Sequence, residues 1–162
     1  MKLHIVALTT GALVASASAL ALAAGPSPSI TGGVLGTGAL TGRSSTTVQL
    51  SHRDGFVMEN ATVPAGATFG WHSHRTAVVV AVTAGTLTLY DSSGAKCTPR
   101  RYHAGQGFIE PANHIHLARN DGKASVTLDA TYVGVPPSLR ANPNNLDVNN
   151  QPRPRKCPAS VQ

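Results

Sequence analysis

The chain contains 162 residues, enough for one domain with a single core. It carries 13 Lys or Arg against 7 Asp or Glu, which gives a formal net charge of +6. A basic chain can bind nucleic acid, but only 4% of the residues are aromatic and the sequence holds no nucleic-acid motif. We therefore interpret the charge as a solvated basic surface and exclude nucleic acid as a partner.

The first 23 residues have the pattern of a secretory signal peptide. Lys2 precedes an apolar run from Ile5 to Leu22, which ends in the small-residue sequence Ala21-Leu22-Ala23. The alternative is a membrane anchor, since 18 residues just span a bilayer, but the many Ala, Ser, Thr and Gly residues make this run weakly hydrophobic. We predict cleavage near Ala23 and a secreted, extracellular product with no membrane attachment after cleavage.

The rest of the chain divides into three parts by composition. Residues 24–45 are rich in Gly, Ser, Thr and Pro and are predicted to form a flexible leader. Residues 46–135 contain short apolar segments separated by turn sequences such as "HRDG", "PAG" and "SSGAKCTP", which is typical of an all-β sandwich or barrel. Residues 136–162 hold many Pro and Asn residues and are predicted to form an irregular tail.

Cys97 and Cys157 are the only cysteines in the sequence. In an exported protein two cysteines most simply form one disulfide, which would fasten the tail to the barrel at the turn that contains Cys97. Closing a loop of about 60 residues stabilises the folded state by roughly 4 kcal/mol in the chain-entropy model. The alternative is two free thiols.

Three histidines carry the strongest chemical signal. His72 and His74 lie two residues apart in the segment "TFGWHSH", and alternation along a strand places both on one face, which continues to Val78. His116, on another predicted strand, is the candidate for the third ligand of one cation. The alternative is that each imidazole is an ordinary hydrogen-bonded core residue.

The two histidine-containing segments resemble the two motifs of the cupin superfamily. The first cupin motif runs Gly, five residues, His-x-His, three or four residues, Glu, six residues and Gly, and the second is similar to "GQGFIEPANHIHLARN". The matching positions are Gly66, His72, His74 and Gly85 in the first motif, and Gly105, Pro111, His116 and Asn120 in the second. The resemblance covers residues 46–135 and implies a single domain with the double-stranded jelly-roll barrel of a small, type 2 cupin.

Carried over residue by residue, the resemblance implies a divalent metal ion held by His72, His74 and His116. Three imidazoles suit Zn, Fe, Mn, Ni or Cu. Val78 occupies the position of the family's glutamate and by strand parity still faces inward, so the resemblance provides three ligands and no acidic fourth. Glu110 could compensate, but it precedes a proline turn, and the sequence does not fix where its side chain points.

Two classes of function follow from this interpretation. The first is a secreted module that binds a metal or a small molecule without converting it. The missing glutamate favours this class. The alternative is a metal-dependent enzyme of cupin type, resembling an oxygenase, isomerase or decarboxylase, that acts on a small substrate. The sequence leaves the choice between binding and catalysis open, because one fold hosts many activities. A homodimer is expected as an alternative to the monomer.

Overall fold

The computed structural model describes residues 37–41, 46–92 and 96–161. The predicted signal peptide and most of the predicted leader lie outside these residues. Within them the strands are β1 Ala39–Leu40, β2 Gly55–Val63, β3 Thr68–His74, β4 Ala77–Ala84, β5 Thr86–Asp91, β6 Thr98–His103, β7 Gln106–Glu110, β8 His116–Arg119, β9 Val126–Val135 and β10 Asp147–Val148. A short helix, α1, spans Pro137–Arg140, and a 3-10 turn spans Pro143–Asn145. No helix in this part of the chain has the length and apolar character needed to cross a bilayer.

The strands form two five-stranded sheets. The first sheet has the order β1-β7-β4-β9-β2 and the second has the order β10-β3-β8-β5-β6. Neighbouring strands run antiparallel, except that β1, within the predicted leader, pairs in parallel with β7. Consecutive strands in the chain often belong to different sheets, as in a jelly roll. The predicted all-β barrel is therefore confirmed.

Alternating valines on β4 build the centre of the core. Val78, Val80 and Val82 are at most 4% exposed, whereas Val79 between them is 39% exposed. Successive side chains of a strand point to opposite faces, so the three buried valines share the inner face and pack with Leu87 of β5 between the two sheets. Burying each such side chain stabilises the fold by about 1.5–3 kcal/mol. The inward direction predicted for Val78 is confirmed.

The C-terminal segment packs against the outer side of β3. Cys97 and Cys157 form the predicted disulfide, with their Cα atoms 4.8 Å apart. Around it lies a second apolar cluster, separate from the core between the sheets, which includes Trp71 and Val161. The indole Nε1–H of Trp71 donates to the carbonyl of Val161 at 3.2 Å. The tail also supplies β10, which pairs with the end of β3 and so reaches the histidines.

Candidate metal centre

The structure brings the three predicted histidines into one buried cluster. His72 and His74 lie on β3, and His116 begins β8 with its Cα directly opposite that of His72. The three side chains are at most 6% exposed. One ring nitrogen of each lies within 4.8 Å of the corresponding atoms of the other two. Their arrangement therefore depends on one strand pair and on the alternation of side chains along β3.

Backbone carbonyls orient two of the rings. Nδ1 of His72 lies 2.9 Å from the carbonyl oxygen of Gly70, and Nδ1 of His116 lies 2.9 Å from that of His114. A carbonyl oxygen only accepts, so each Nδ1 donates its proton, which leaves Nε2 as the atom that could bind a metal ion. Gly70 has φ of 71°, in the left-handed region that favours glycine, at an irregularity in the pairing of β3 with β8. The glycine thereby allows the backbone turn that aims its carbonyl at His72.

Burial sets the charge of His72. Burial and the neighbouring His116 together lower the pKa of this imidazole to about 4, against the opposing effect of the hydrogen bond to the Gly70 carbonyl. His72 is therefore neutral at neutral pH, which is the form that binds a metal.

His74 is held by two carboxylates. Its Nδ1 lies 2.7 Å from Oδ1 of Asp147 on β10, and its Nε2 lies 3.0 Å from Oε2 of Glu110 on β7. Burial alone would lower the pKa of His74, but the hydrogen bonds and charges of Asp147 and Glu110 outweigh it and raise the pKa to about 9. The metal-free protein therefore holds His74 as an imidazolium at neutral pH.

Glu110 places a carboxylate inside the histidine cluster. Its Cα is paired with that of Val78 across β4 and β7, and its side chain is 6% exposed. Burial raises the pKa of Glu110, but the imidazoles of His116 and His74 outweigh this effect and hold it well below its usual range, so the carboxylate is ionised. The sequence left open where the side chain of Glu110 points, and the structure places its carboxylate beside His74 and His116.

His116 and Glu110 are in close contact. Nε2 of His116 lies 2.9 Å from Oε1 of Glu110 but has no hydrogen-bond partner in the described part of the chain. A cation between two such buried atoms, either a proton or a metal ion, removes the repulsion between their electron pairs. The donor set therefore fits a metal ion.

A cavity of about 80 Å³ lies beside the cluster. Most of its wall is apolar and includes Val80, Phe108 and Leu128. The polar part of the wall consists of His72, His74, Glu59, Glu110, Tyr132 and Asp147.

Sequence reasoning missed three of the polar wall residues. The hydroxyl of Tyr132 donates to Oδ1 of Asp147 at 3.0 Å and lies 3.4 Å from Oε2 of Glu59. Burial raises the pKa of Tyr132 and the two carboxylates raise it further, so the phenol stays protonated. Strand parity could have found Tyr132 and Glu59, which share the inner faces of their strands with Ala130 and Ala61. No local signal marks Asp147, because it lies in the tail.

The remaining motif residues have structural roles. Asn120 is 1% exposed, and its Nδ2 donates to the carbonyl oxygens of Val63 at 2.9 Å and Ala124 at 2.8 Å. Gly85 has φ of 78°, and a Cβ there would lie 2.9 Å from the carbonyl oxygen of Ser125. These residues fix turns at the ends of the motifs and hold no part of the cluster.

Comparisons with known proteins agree with this architecture. The family model of the cupin domain matches residues 59–132. No protein of curated function matches the sequence significantly.

Several solved structures are similar to this chain. The DMSP lyase DddQ from Ruegeria pomeroyi DSS-3 is 19% identical to this chain, with a TM-score of 0.50. The match covers 62% of this chain and 46% of DddQ, so the chain spans about half the length of DddQ. A Cupin 2 conserved barrel domain protein from Salinispora arenicola CNS-205 is 18% identical with a TM-score of 0.44, over 54% and 70% of the two chains. An uncharacterized conserved protein with a double-stranded beta-helix domain from Klebsiella pneumoniae is 19% identical with a TM-score of 0.44, over 52% and 71%.

Proposed function

Because residues 59–132 form a cupin domain, we propose that the protein is a secreted small cupin with one divalent metal ion at its three histidines. The ion is the anchor for a small molecule in the adjoining cavity. The Cys97–Cys157 disulfide supports the secreted location, since disulfides persist in oxidising compartments.

One observation carries the metal proposal. The buried Nε2 of His116 faces Glu110 at 2.9 Å without a hydrogen bond, while its Nδ1 already has an acceptor. In an ordinary core histidine the second ring nitrogen would also have a hydrogen-bond partner. A cation would satisfy this nitrogen together with those of His72 and His74. A bound divalent ion supplies a Lewis-acid centre with open positions for a further ligand.

The cavity limits the size and the polarity of the small molecule. Its volume is about 80 Å³, and its wall is mostly apolar. A ligand of this kind would carry one oxygen or nitrogen donor for the ion and a short apolar part for the side chains of Val80 and Leu128. The protein would bind such a ligand without converting it.

An enzymatic role is the second candidate, and the pair of Tyr132 and Asp147 favours it. The phenol and the carboxylate lie 3.0 Å apart on the cavity wall, where a substrate held at the ion would meet groups that can donate or accept a proton. DddQ is a DMSP lyase, but its likeness to this chain is a likeness of fold. Turnover of small carboxylates or other candidate substrates by the metal-loaded protein would favour catalysis over binding.

The metal proposal is tested by calorimetric titration of chelator-treated protein with Zn(II), Mn(II) and Cu(II). The parent is expected to bind one ion per chain, and His116→Ala is expected to abolish binding. His52→Ala is the matched control, since His52 is an exposed histidine outside the cluster. A parent that binds no divalent ion, or equal binding by the parent and His116→Ala, would contradict the proposal.

A further inference from the structure

We propose that Glu110 is the fourth protein ligand of the ion. In this chain the carboxylate that the first cupin motif carries at the position of Val78 comes instead from the facing strand. The inference rests on the proposed metal function and adds a ligand to it.

Strand register explains how Glu110 can replace a residue of β4. Val78 and Glu110 are Cα partners across the antiparallel pair of β4 and β7. Residues directly opposite each other in such a pair point their side chains to the same face of the sheet. Val78 is 1% exposed on the inner face, and Phe108, two residues before Glu110, is also buried there. A carboxylate lost from one strand is therefore recovered at the same depth from its neighbour.

The distances agree with shared coordination. Donor atoms that bind one ion at about 2.1 Å and at right angles to each other lie about 3 Å apart. The two carboxylate oxygens of Glu110 lie 3.0 Å from Nε2 of His74 and 2.9 Å from Nε2 of His116. Each carboxylate oxygen therefore lies next to Nε2 of a different histidine. Both distances match the spacing of neighbouring ligand atoms around one ion.

Other contacts hold these atoms in place. Each of the three imidazoles has an acceptor at Nδ1, which leaves Nε2 as the atom toward an ion. Such partners fix the tautomer and the ring orientation of metal-bound histidines. Glu110 lies at the end of β7, and the turn that begins at Pro111 leads directly to His116. One short connection between the two sheets therefore sets the positions of both Glu110 and His116.

A carboxylate ligand also changes which ion is preferred. Three imidazoles alone suit Zn and Cu, whereas an added carboxylate oxygen suits harder ions such as Mn(II). The ligand also neutralises one unit of the ion's charge. We therefore expect Glu110 to contribute more to the binding of Mn(II) than to that of Cu(II).

The test compares four proteins: the parent, Glu110→Gln, Glu59→Gln, and Val78→Glu combined with Glu110→Gln. Glu59→Gln is the matched control, because Glu59 lines the same cavity but its carboxylate contacts Tyr132. The combined variant moves the carboxylate back to β4. Chelator-treated proteins are titrated with Mn(II), and the visible absorption of bound Co(II) reports whether the ligand set changes. Circular dichroism confirms that each variant is folded.

We expect Glu110→Gln to weaken Mn(II) binding at least about 10–100-fold and to alter the Co(II) spectrum, since loss of even an outer partner has an effect of that size. Glu59→Gln should change the affinity for Mn(II) less than about threefold, and the combined variant should recover most of the loss. If the parent binds the ions while Glu110→Gln keeps both its affinity and its Co(II) spectrum, the ligand role of Glu110 is wrong and the three-histidine proposal stands. If the parent binds no ion, both proposals fail.

Discussion

The imidazole of His74 and the carboxylate of Asp147 lie 2.7 Å apart, although 73 positions separate them in the chain. The contact exists because β10 pairs with β3 and sets Asp147 opposite His74. Burial raises the pKa of Asp147, but the hydrogen bond and the charge of His74 outweigh it and lower the pKa below its usual value. The C-terminal tail thus takes part in holding a histidine of the barrel.

Asp147→Asn is expected to weaken metal binding about 10–100-fold, because His74 loses the charged acceptor that orients its ring. Calorimetric titration of the chelator-treated proteins measures the change. Asp129→Asn is the control, since Asp129 contacts Asn60 on the outside of the barrel. An affinity equal to that of the parent would show that Asp147 has no part in orienting the metal site.

Reduction of the Cys97–Cys157 disulfide is expected to loosen the tail before the barrel unfolds. Trp71 is the only tryptophan in the chain and packs in the cluster around the two cysteines, so its fluorescence should shift to longer wavelength. The loss of unfolding free energy should be about 2–4 kcal/mol. Thermal unfolding and fluorescence with and without reductant measure both effects. Complete alkylation of both cysteines without reductant would rule the disulfide out.

The stability of the metal-free protein is expected to peak near pH 6.5. Below this pH an unfolded chain protonates His72 whereas the folded protein resists protonation down to about pH 4, so stability falls as the pH falls. Above this pH the unfolded chain loses the proton of His74, whereas the folded protein keeps it up to about pH 9. The free energy of unfolding therefore falls as the pH rises. Urea denaturation at pH 4 to 9, in the presence of a chelator, measures the profile. A steady increase to pH 9 would contradict the charge assigned to His74.

Amino-terminal sequencing of protein from the culture medium should give a sequence that begins near Ala24. The prediction rests on the apolar run of residues 5–22 and its small-residue end, which lie outside the described residues. A mature protein that still begins with Met1 would overturn the secreted location.

Local patterns explain what could be predicted from the sequence. Strand alternation is a property of neighbouring residues, so it placed Val78 on the inner face and His72 beside His74 before any fold was known. The same alternation from Phe108 points Glu110 inward, but the proline that follows obscured this signal, because turns often redirect a strand end.

Long-range contacts explain what could not be predicted. Asp147 reaches His74 only because the tail folds back along β3, and no periodic pattern in a segment rich in Pro and Asn encodes that path. The pairing of Val78 with Glu110 likewise depends on the register between two strands that lie about 30 residues apart, which alternation within each strand does not determine. The position of the Glu110 carboxylate beside two of the histidines therefore follows only from the folded chain.

The metal content of protein purified without an affinity tag from its culture medium decides whether the three histidines hold an ion. Elemental analysis of the parent is expected to give about one divalent ion per chain, whereas His116→Ala should contain almost none and His52→Ala should match the parent. A parent that contains no divalent ion, and takes up none when incubated with Mn(II) or Zn(II), would show that the three histidines do not form a metal centre.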